Sequence, residues 1–230
     1  MTPLRIVAAG DAALVAEFDD RIDVEVNTHA VALAEHIRTQ AVRGVKDVVP
    51  TFRSVAVYFD PLQTDVDALA ATLRSAAPPK EQARSAGIIE VPVCYDSDYG
   101  PDLEDLARRA GLDAATVVSI HSDQNYRVFM LGFMPGFAYL GTVDARIAAP
   151  RRATPRLQVP AGSVGIAGQQ TGIYPAQTPG GWNIIGRTPL RTWSPTAERP
   201  AVFRAGDDVR FRRIDRATFE RIAATQRDAP

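Results

Sequence analysis

Residues 4–77 alternate short apolar runs with one stretch of helical spacing. LRIVAAG (4–10) and AALVAEF (12–18) read as two strands around a turn at Gly10 and Asp11. Val26, Ala30, Leu33, Ala34, Ile37 and Ala41 then recur at the period that places side chains on one face of a helix. VKDVVPTF (45–52) and SVAVYFD (54–60) predict a second strand pair with Arg53 near its turn. A helix follows over 65–75, where Thr64 and Asp67 have the spacing of a variant capping box. Strand pairs with two helices on one face make a small α/β sandwich, and a ferredoxin-like or split β-α-β arrangement fits it best.

The segment PPKEQARSAG (78–87) has no apolar periodicity and opens on two prolines, so it reads as a linker. It divides the chain into an N-terminal α/β domain, 1–80, and a second domain, 81–230. In the second, IIEVPVCY (88–95) reads as a strand, and 101–111 as a short helix with Pro101 near its start and Gly111 as its stop. Residues 112–122 read as another short helix, capped by Asp113. From Tyr126 to VRFRRI (209–214) the pattern is short apolar runs split by Gly and Pro, the mark of a β-barrel or closed sandwich, and a last helix is expected over 215–226. The expected fold class is α+β.

Composition narrows the partners. The chain has 230 residues, is 46% hydrophobic and carries a net charge of −1. That balance speaks against general electrostatic binding of nucleic acid or an anionic membrane, which needs a surplus of basic charge. No apolar stretch reaches membrane-spanning length, so the expected location is the cytoplasm. The single cysteine, Cys94, excludes an intrachain disulfide and a cysteine-clustered metal site, and reads as a buried strand residue. His29 and His36 share a helix face but lack a third ligand, and no metal site is expected. Only Lys46 and Lys80 represent lysine, so a charged substrate would be held by arginine, amide or backbone groups.

Most of the glycines fall between Phe129 and Pro189, interleaved with aromatic and amide side chains. Such a density marks tight turns or a backbone wrapped around a ligand. His121, the only histidine of the second domain, is either an acid-base group beside this segment or a helix-end residue packed on the barrel. Gln169, Gln170 and Tyr174 offer paired donors and acceptors suited to an amide or an uncharged carbonyl, or close a hairpin. The run from Gly180 through Trp182 to Arg187 reads as an anion-facing turn with an arginine nearby. Its alternative is a β-turn with Trp182 as a core plug and Arg187 in a structural ion pair. The cluster of Phe133, Met134, Pro135, Phe137 and Tyr139 faces a partner or forms a barrel corner. Arg151, Arg152 and Arg156 form a solvated basic face or one suited to a nucleotide phosphate.

GFMPGFAYLG (132–141), PRRATPRLQVPAGSVGIAGQQTGIYPAQTPGGWNIIGRTP (150–189) and the preceding PDLEDLARRAGL and VVSIHSDQNYRVFMLGF resemble the allophanate hydrolase subunit 1 family, also described as carboxyltransferase subdomains C and D. The resemblance covers essentially the whole chain and implies a small α/β domain followed by a cyclophilin-like β-barrel. It implies the B subunit of an ATP-dependent 5-oxoprolinase, which opens the lactam 5-oxoproline to glutamate. The partners implied are allophanate hydrolase subunit 2 (the C subunit) and a lactam-utilisation subunit, with ATP, and Mg beside it, as co-substrate. In that reading His121 and Arg187 are catalytic, and Gln169, Gln170, Tyr174 and Trp182 hold the substrate. The same resemblance also admits a KipI-like inhibitor of a sensor histidine kinase, or a subunit of a urea or allophanate hydrolase. The serine-rich signature of allophanate-cleaving amidases is absent from the sequence, and so is any cyclophilin active-site motif.

Overall fold

The computed structural model describes residues 4–75 and 87–227. The chain divides into two compact units, Met1–Arg84 and Ser85–Pro230. The segment expected to be a linker lies outside the described residues, apart from Gly87.

The first unit runs β1 (Arg5–Ala8), β2 (Ala13–Glu17), α1 (Val24–Thr39), β3 (Val45–Pro50), β4 (Ser54–Phe59) and α2 (Val66–Ser75). Its sheet has the order β1-β2-β4-β3, with antiparallel neighbours throughout. β2 and β3 therefore run parallel on either side of β4, which is the split β-α-β arrangement. The edge beside β2 is filled by the first strand of the chain. One face of β2, β3 and β4, with Leu14, Val48, Val55 and Val57, packs against Ala30, Leu33 and Ile37 of α1 and Leu69 and Leu73 of α2. Two details differ from the sequence pattern. Ala41 lies past the end of α1, exposed and at φ 45°. The capping box on Thr64 does not form: the Asp65 carboxylate accepts from Ala68 N–H (3.0 Å), while the Thr64 hydroxyl donates to Arg43 C=O (3.0 Å). The acid one residue later takes the capping place because the helix starts later.

The second unit runs β5 (Ile89–Cys94), α3 (Leu103–Ala110), α4 (Ala114–Ser122), β6 (Asn125–Leu131), β7 (Ala138–Gly141), β8 (Arg156–Val159), β9 (Ser163–Ala167), β10 (Gln170–Ile173), β11 (Thr178–Gly180), β12 (Asn183–Arg187), β13 (Asp208–Ile214) and α5 (Arg216–Arg227). Seven strands close a barrel in the order β10-β7-β6-β13-β5-β12-β9, and β8 and β11 form a separate two-stranded ribbon. β5 and β13, nearly at opposite ends of the unit, pair in parallel from Ile89 and Val209 to Cys94 and Ile214. Gly111 ends α3 in the left-handed conformation and Asp113 caps α4 through Thr116 N–H. Cys94 is buried, as its place in an apolar strand suggests. Among the described residues no helix is long and apolar enough to cross a membrane.

Val91, Val93, Tyr126, Val128, Leu140, Val164, Ile166, Ile185 and Phe211 fill the barrel, and α4 adds His121 to the same interior. His121 has no exposed surface. The Tyr95 hydroxyl lies 2.8 Å from its Nδ1, and its Nε2 lies 2.9 Å from the Thr171 hydroxyl. Thr171 donates its own proton to Gly165 C=O (3.0 Å), so Nε2 carries the imidazole proton and Nδ1 accepts from Tyr95. The ring stacks on Phe211 with 4.5 Å between centroids.

Burial pushes the His121 pKa down from its ordinary 6.5 to about 3, so the ring is neutral in the folded protein. The unfolded chain then takes up this proton first as pH falls. The contribution to stability is present above pH 6.5 and is lost progressively toward pH 3, at about 1.4 kcal/mol per pH unit. Urea denaturation between pH 6.5 and 5 should show this slope in the wild type and a flatter one in His121→Gln. Equal slopes would show that His121 is not buried in its neutral form.

Candidate functional site

Strand alternation sorts the glycine-rich segment into two layers. On β7, β9 and β10, Ala138, Leu140, Val164, Ile166 and Ile173 point into the barrel. Their neighbours Tyr139, Gly165, Ala167, Gln170, Gly172 and Tyr174 therefore point outward. Register aligns them across the strands: Gly172 stands opposite Tyr139 and Gly165, and Gln170 opposite Gly141 and Ala167. The result is an outer face with a glycine floor. A Cβ at Gly172 would lie 2.9 Å from Ala138 O and 3.1 Å from the rings of Phe137 and Trp182, so the aromatic layer rests on bare backbone there. Phe137 is the hub of that layer, set edge-on to Tyr139, Tyr174 and Trp182 at 4.9, 5.3 and 5.4 Å. Val159 of the β8–β11 ribbon closes it from above. At its edge Phe133 stands 61% exposed, with its backbone at φ 67°, against the side of Phe137.

Arginines border this layer, and one acid divides their roles. Asp102, 2% exposed at the start of α3, does not cap its own helix. Its carboxylate accepts from Arg152 Nη1 (2.6 Å), from Arg156 Nη1 and Nη2 (2.8 and 2.7 Å) and from Ile184 N–H (2.7 Å). Asn183 adds a second tie, accepting from Arg109 and donating to the carbonyls of Pro150 and Ile166. Arg151 lies outside this network. It is exposed and has no ion pair among the described residues. Burial raises the pKa values of Tyr139 and Tyr174, and the charge of Arg151 acts against burial at both phenols, which locates this arginine at the edge of the aromatic layer.

The structure brings three of the expected substrate residues to this face. Gln170 is half-buried on the glycine floor, with its amide unbonded among the described residues. Tyr174 and Trp182 are buried supports beneath it. Trp182 is thus the core plug that its alternative reading described. Gln169 sits exposed at the tip of the β9–β10 hairpin. His121 is sealed in the barrel interior with both ring nitrogens bonded, apart from this face. Arg187 forms no ion pair among the described residues; its Nε donates to Ala161 C=O (2.7 Å), and its side chain lines a different cleft. Among the described residues no group of three His, Cys, Asp or Glu side chains gathers to hold a metal. The sequence reading assigns Arg151 to a basic cluster suited to a phosphate, and Phe137 and Tyr139 to a partner face or barrel corner, rather than to the substrate residues, and it does not single out Asp102. The alternation of AYLG could have identified Tyr139, but Asp102 looks like any acid at a helix start. Asp102→Asn should destabilise the protein by about 3 kcal/mol in urea denaturation, because two guanidinium groups lose their shared buried partner. A change below about 0.5 kcal/mol, the range of ordinary surface substitutions, would remove this network from the account of the fold.

Residues 4–203 match the family model described as carboxyltransferase domain, subdomain C and D. The chain is 40% identical to the 5-oxoprolinase B subunit of Bacillus subtilis (strain 168), over 94% of this chain and 95% of that protein. It is 38% identical to the 5-oxoprolinase B subunit of Escherichia coli O157:H7, over 92% and 96% of the two chains. Among solved structures, that of TTHA0988 superposes with a TM-score of 0.82 at 37% identity, covering 88% of this chain and only 40% of the longer TTHA0988 chain. Matched along most of its length, the chain belongs to the carboxyltransferase domain, subdomain C and D family.

Proposed function

We propose that this chain is the B subunit of an ATP-dependent 5-oxoprolinase acting in the cytoplasm. The observation that carries the reading is its 40% identity, over nearly the full length of both proteins, to a 5-oxoprolinase B subunit. A subunit so named acts with others: here a C subunit of the allophanate hydrolase subunit 2 type and a lactam-utilisation A subunit. The exposed Phe133, held edge-on to Phe137, supplies an aromatic anchor of the kind that dominates protein interfaces.

The chemistry of the outer barrel face suits this substrate. A lactam presents one C=O and one N–H side by side, and the free amide of Gln170 offers the complementary donor and acceptor. Arg151, the cation at the edge, is placed for the substrate's carboxylate or for phosphate charge. Tyr174 and Trp182 keep the floor rigid and dry, and Gln169 borders it at the hairpin tip. ATP, with Mg, supplies the phosphoryl group that activates the stable amide for ring opening. Burial keeps the phenols of Tyr139 and Tyr174 protonated, so this chain's part is orientation and charge stabilisation, with groups from the partner subunits completing the site. His121 supports the barrel and moves no proton in this scheme.

The test is ATP hydrolysis dependent on 5-oxoproline, measured on the complex co-purified with the C-type and lactam-utilisation subunits. Arg151→Gln and Gln170→Leu should each lower kcat/KM by about tenfold or more with assembly unchanged. Wild-type turnover in both variants would refute this placement of the substrate. A verified complex without 5-oxoproline-dependent hydrolysis would refute the activity itself.

A further inference from the structure

A second feature of the barrel unit lies outside the layer just described. The turn at 160–162, the loop after Tyr174, the loop after β12 and helix α5 enclose an open cleft of about 880 Å³. Arg187 lies in its wall. The bond from Arg187 Nε to Ala161 C=O (2.7 Å) fixes the plane of the guanidinium, while both terminal amino groups lack a partner among the described residues. The turn that supplies this carbonyl is itself held tightly. Gly162 has φ 81°, and a Cβ there would lie 2.4 Å from Thr188 O and 3.4 Å from Arg187 Cγ. Arg191 also lines the cleft and has no ion pair among the described residues; Glu220, the acid of the lining, pairs with neither arginine. Tyr99 forms a tilted pair with Phe219 at 4.4 Å and carries the Arg216 guanidinium over its ring at 5.5 Å; with Leu190 these rings give the cleft an apolar side.

An arginine held through Nε presents its two terminal amino groups as a fork, the geometry that grips two oxygens of a carboxylate or phosphate. An apolar wall beside it favours a ligand with a non-polar or planar body over a bare inorganic ion. We propose that this cleft is a second binding site, for a small organic molecule with a carboxylate or phosphate head. Arg187 clamps the head, Arg191 adds charge, and the body lies along Leu190 and the edge of Tyr99. The proposal does not rest on the 5-oxoprolinase reading, since the residues involved are separate from Gln170 and Arg151.

The experiment is isothermal titration of the full chain with AMP, inorganic phosphate and L-glutamate, alongside NMR of the arginine Nε–H resonances. The expected result is saturable binding of AMP or glutamate with a shift of the Arg187 signal. AMP binding would identify a phosphate head, and glutamate binding a carboxylate. Arg187→Gln should weaken binding by about tenfold or more, and Arg187→Lys should weaken it less, since charge remains and the fork is lost. Ala224→Trp, which fills the cleft from α5 and leaves both arginines in place, should weaken binding comparably, with thermal denaturation verifying that each variant is folded. No saturable binding by AMP or glutamate at about 10 mM, the weak end of small-ligand affinity, would overturn the proposal. Binding that survives both Arg187→Gln and Ala224→Trp would overturn it equally.

Discussion

The buried carboxylate of Asp102 is the point on which the barrel's outer architecture depends. Taking a carboxylate out of water costs several kcal/mol, and the cost is offset only where every lone pair finds a donor. Four short bonds provide this, from two guanidinium groups and the backbone N–H of Ile184. These donors come from separate stretches of chain, so satisfying one charge fixes α3, β12 and the 150–156 segment together. The backbone repeats the bond in the other direction, with Asp102 N–H donating to Ile184 C=O at 2.9 Å. Gly100 permits this approach: a Cβ there would fall 2.2 Å from Ile185 O.

The aromatic layer follows from that constraint. With 150–156 held down, Arg152 N–H bonds Gly181 C=O at 2.8 Å and sets the loop that delivers Trp182. The Tyr174 phenol stands beneath Gly180, where a Cβ would lie 2.5 Å from its oxygen. At both 172 and 180 an aromatic ring approaches the backbone too closely for a side chain, and at 172 the Ala138 carbonyl does so as well. A barrel wall that is apolar on both faces is ordinarily a liability in water, and here the β8–β11 ribbon covers the outer one. What stays accessible is a short edge where Gln170 and Tyr139 are half-buried and Arg151 is exposed.

Elements built from local pattern were legible in the sequence. The five buried apolar positions of α1 recur at helical spacing, and Gly111 and Asp113 carry the stop and start of α3 and α4 in their own chemistry. Pairing across long separations was not legible. Nothing in IIEVPVCY or VRFRRI says that the two strands lie side by side in parallel, because each needs only an apolar face and the partner is chosen by closure of the whole barrel. The site divides along the same line. Gln170, Tyr174 and Trp182 are close in sequence and lie on one face of the barrel, so a local reading of the segment already groups them. His121 stands out because histidine is chemically versatile, but its environment is set by Tyr95 and Thr171, 26 and 50 residues away, and those contacts make it a neutral core residue.

An excess of arginine over lysine is a compositional bias that by itself locates nothing, and a net charge of −1 conceals any local surplus. Position resolves what composition cannot. Within PRRATPR, Arg152 and Arg156 share one buried acid, while Arg151, adjacent in sequence, has no acid partner among the described residues. Two guanidinium groups against one carboxylate leave one positive charge, and the exposed Arg151 adds a second at the edge of the layer that Gln170 also borders. An edge with that inventory suits a ligand that carries negative charge together with an uncharged amide, and a cyclic amide of an amino acid has both. A polyphosphate alone would leave the Gln170 amide without purpose, and an uncharged amide such as urea would leave Arg151 without one. The two groups together, more than either residue separately, are what the proposed placement of a lactam carboxylate rests on.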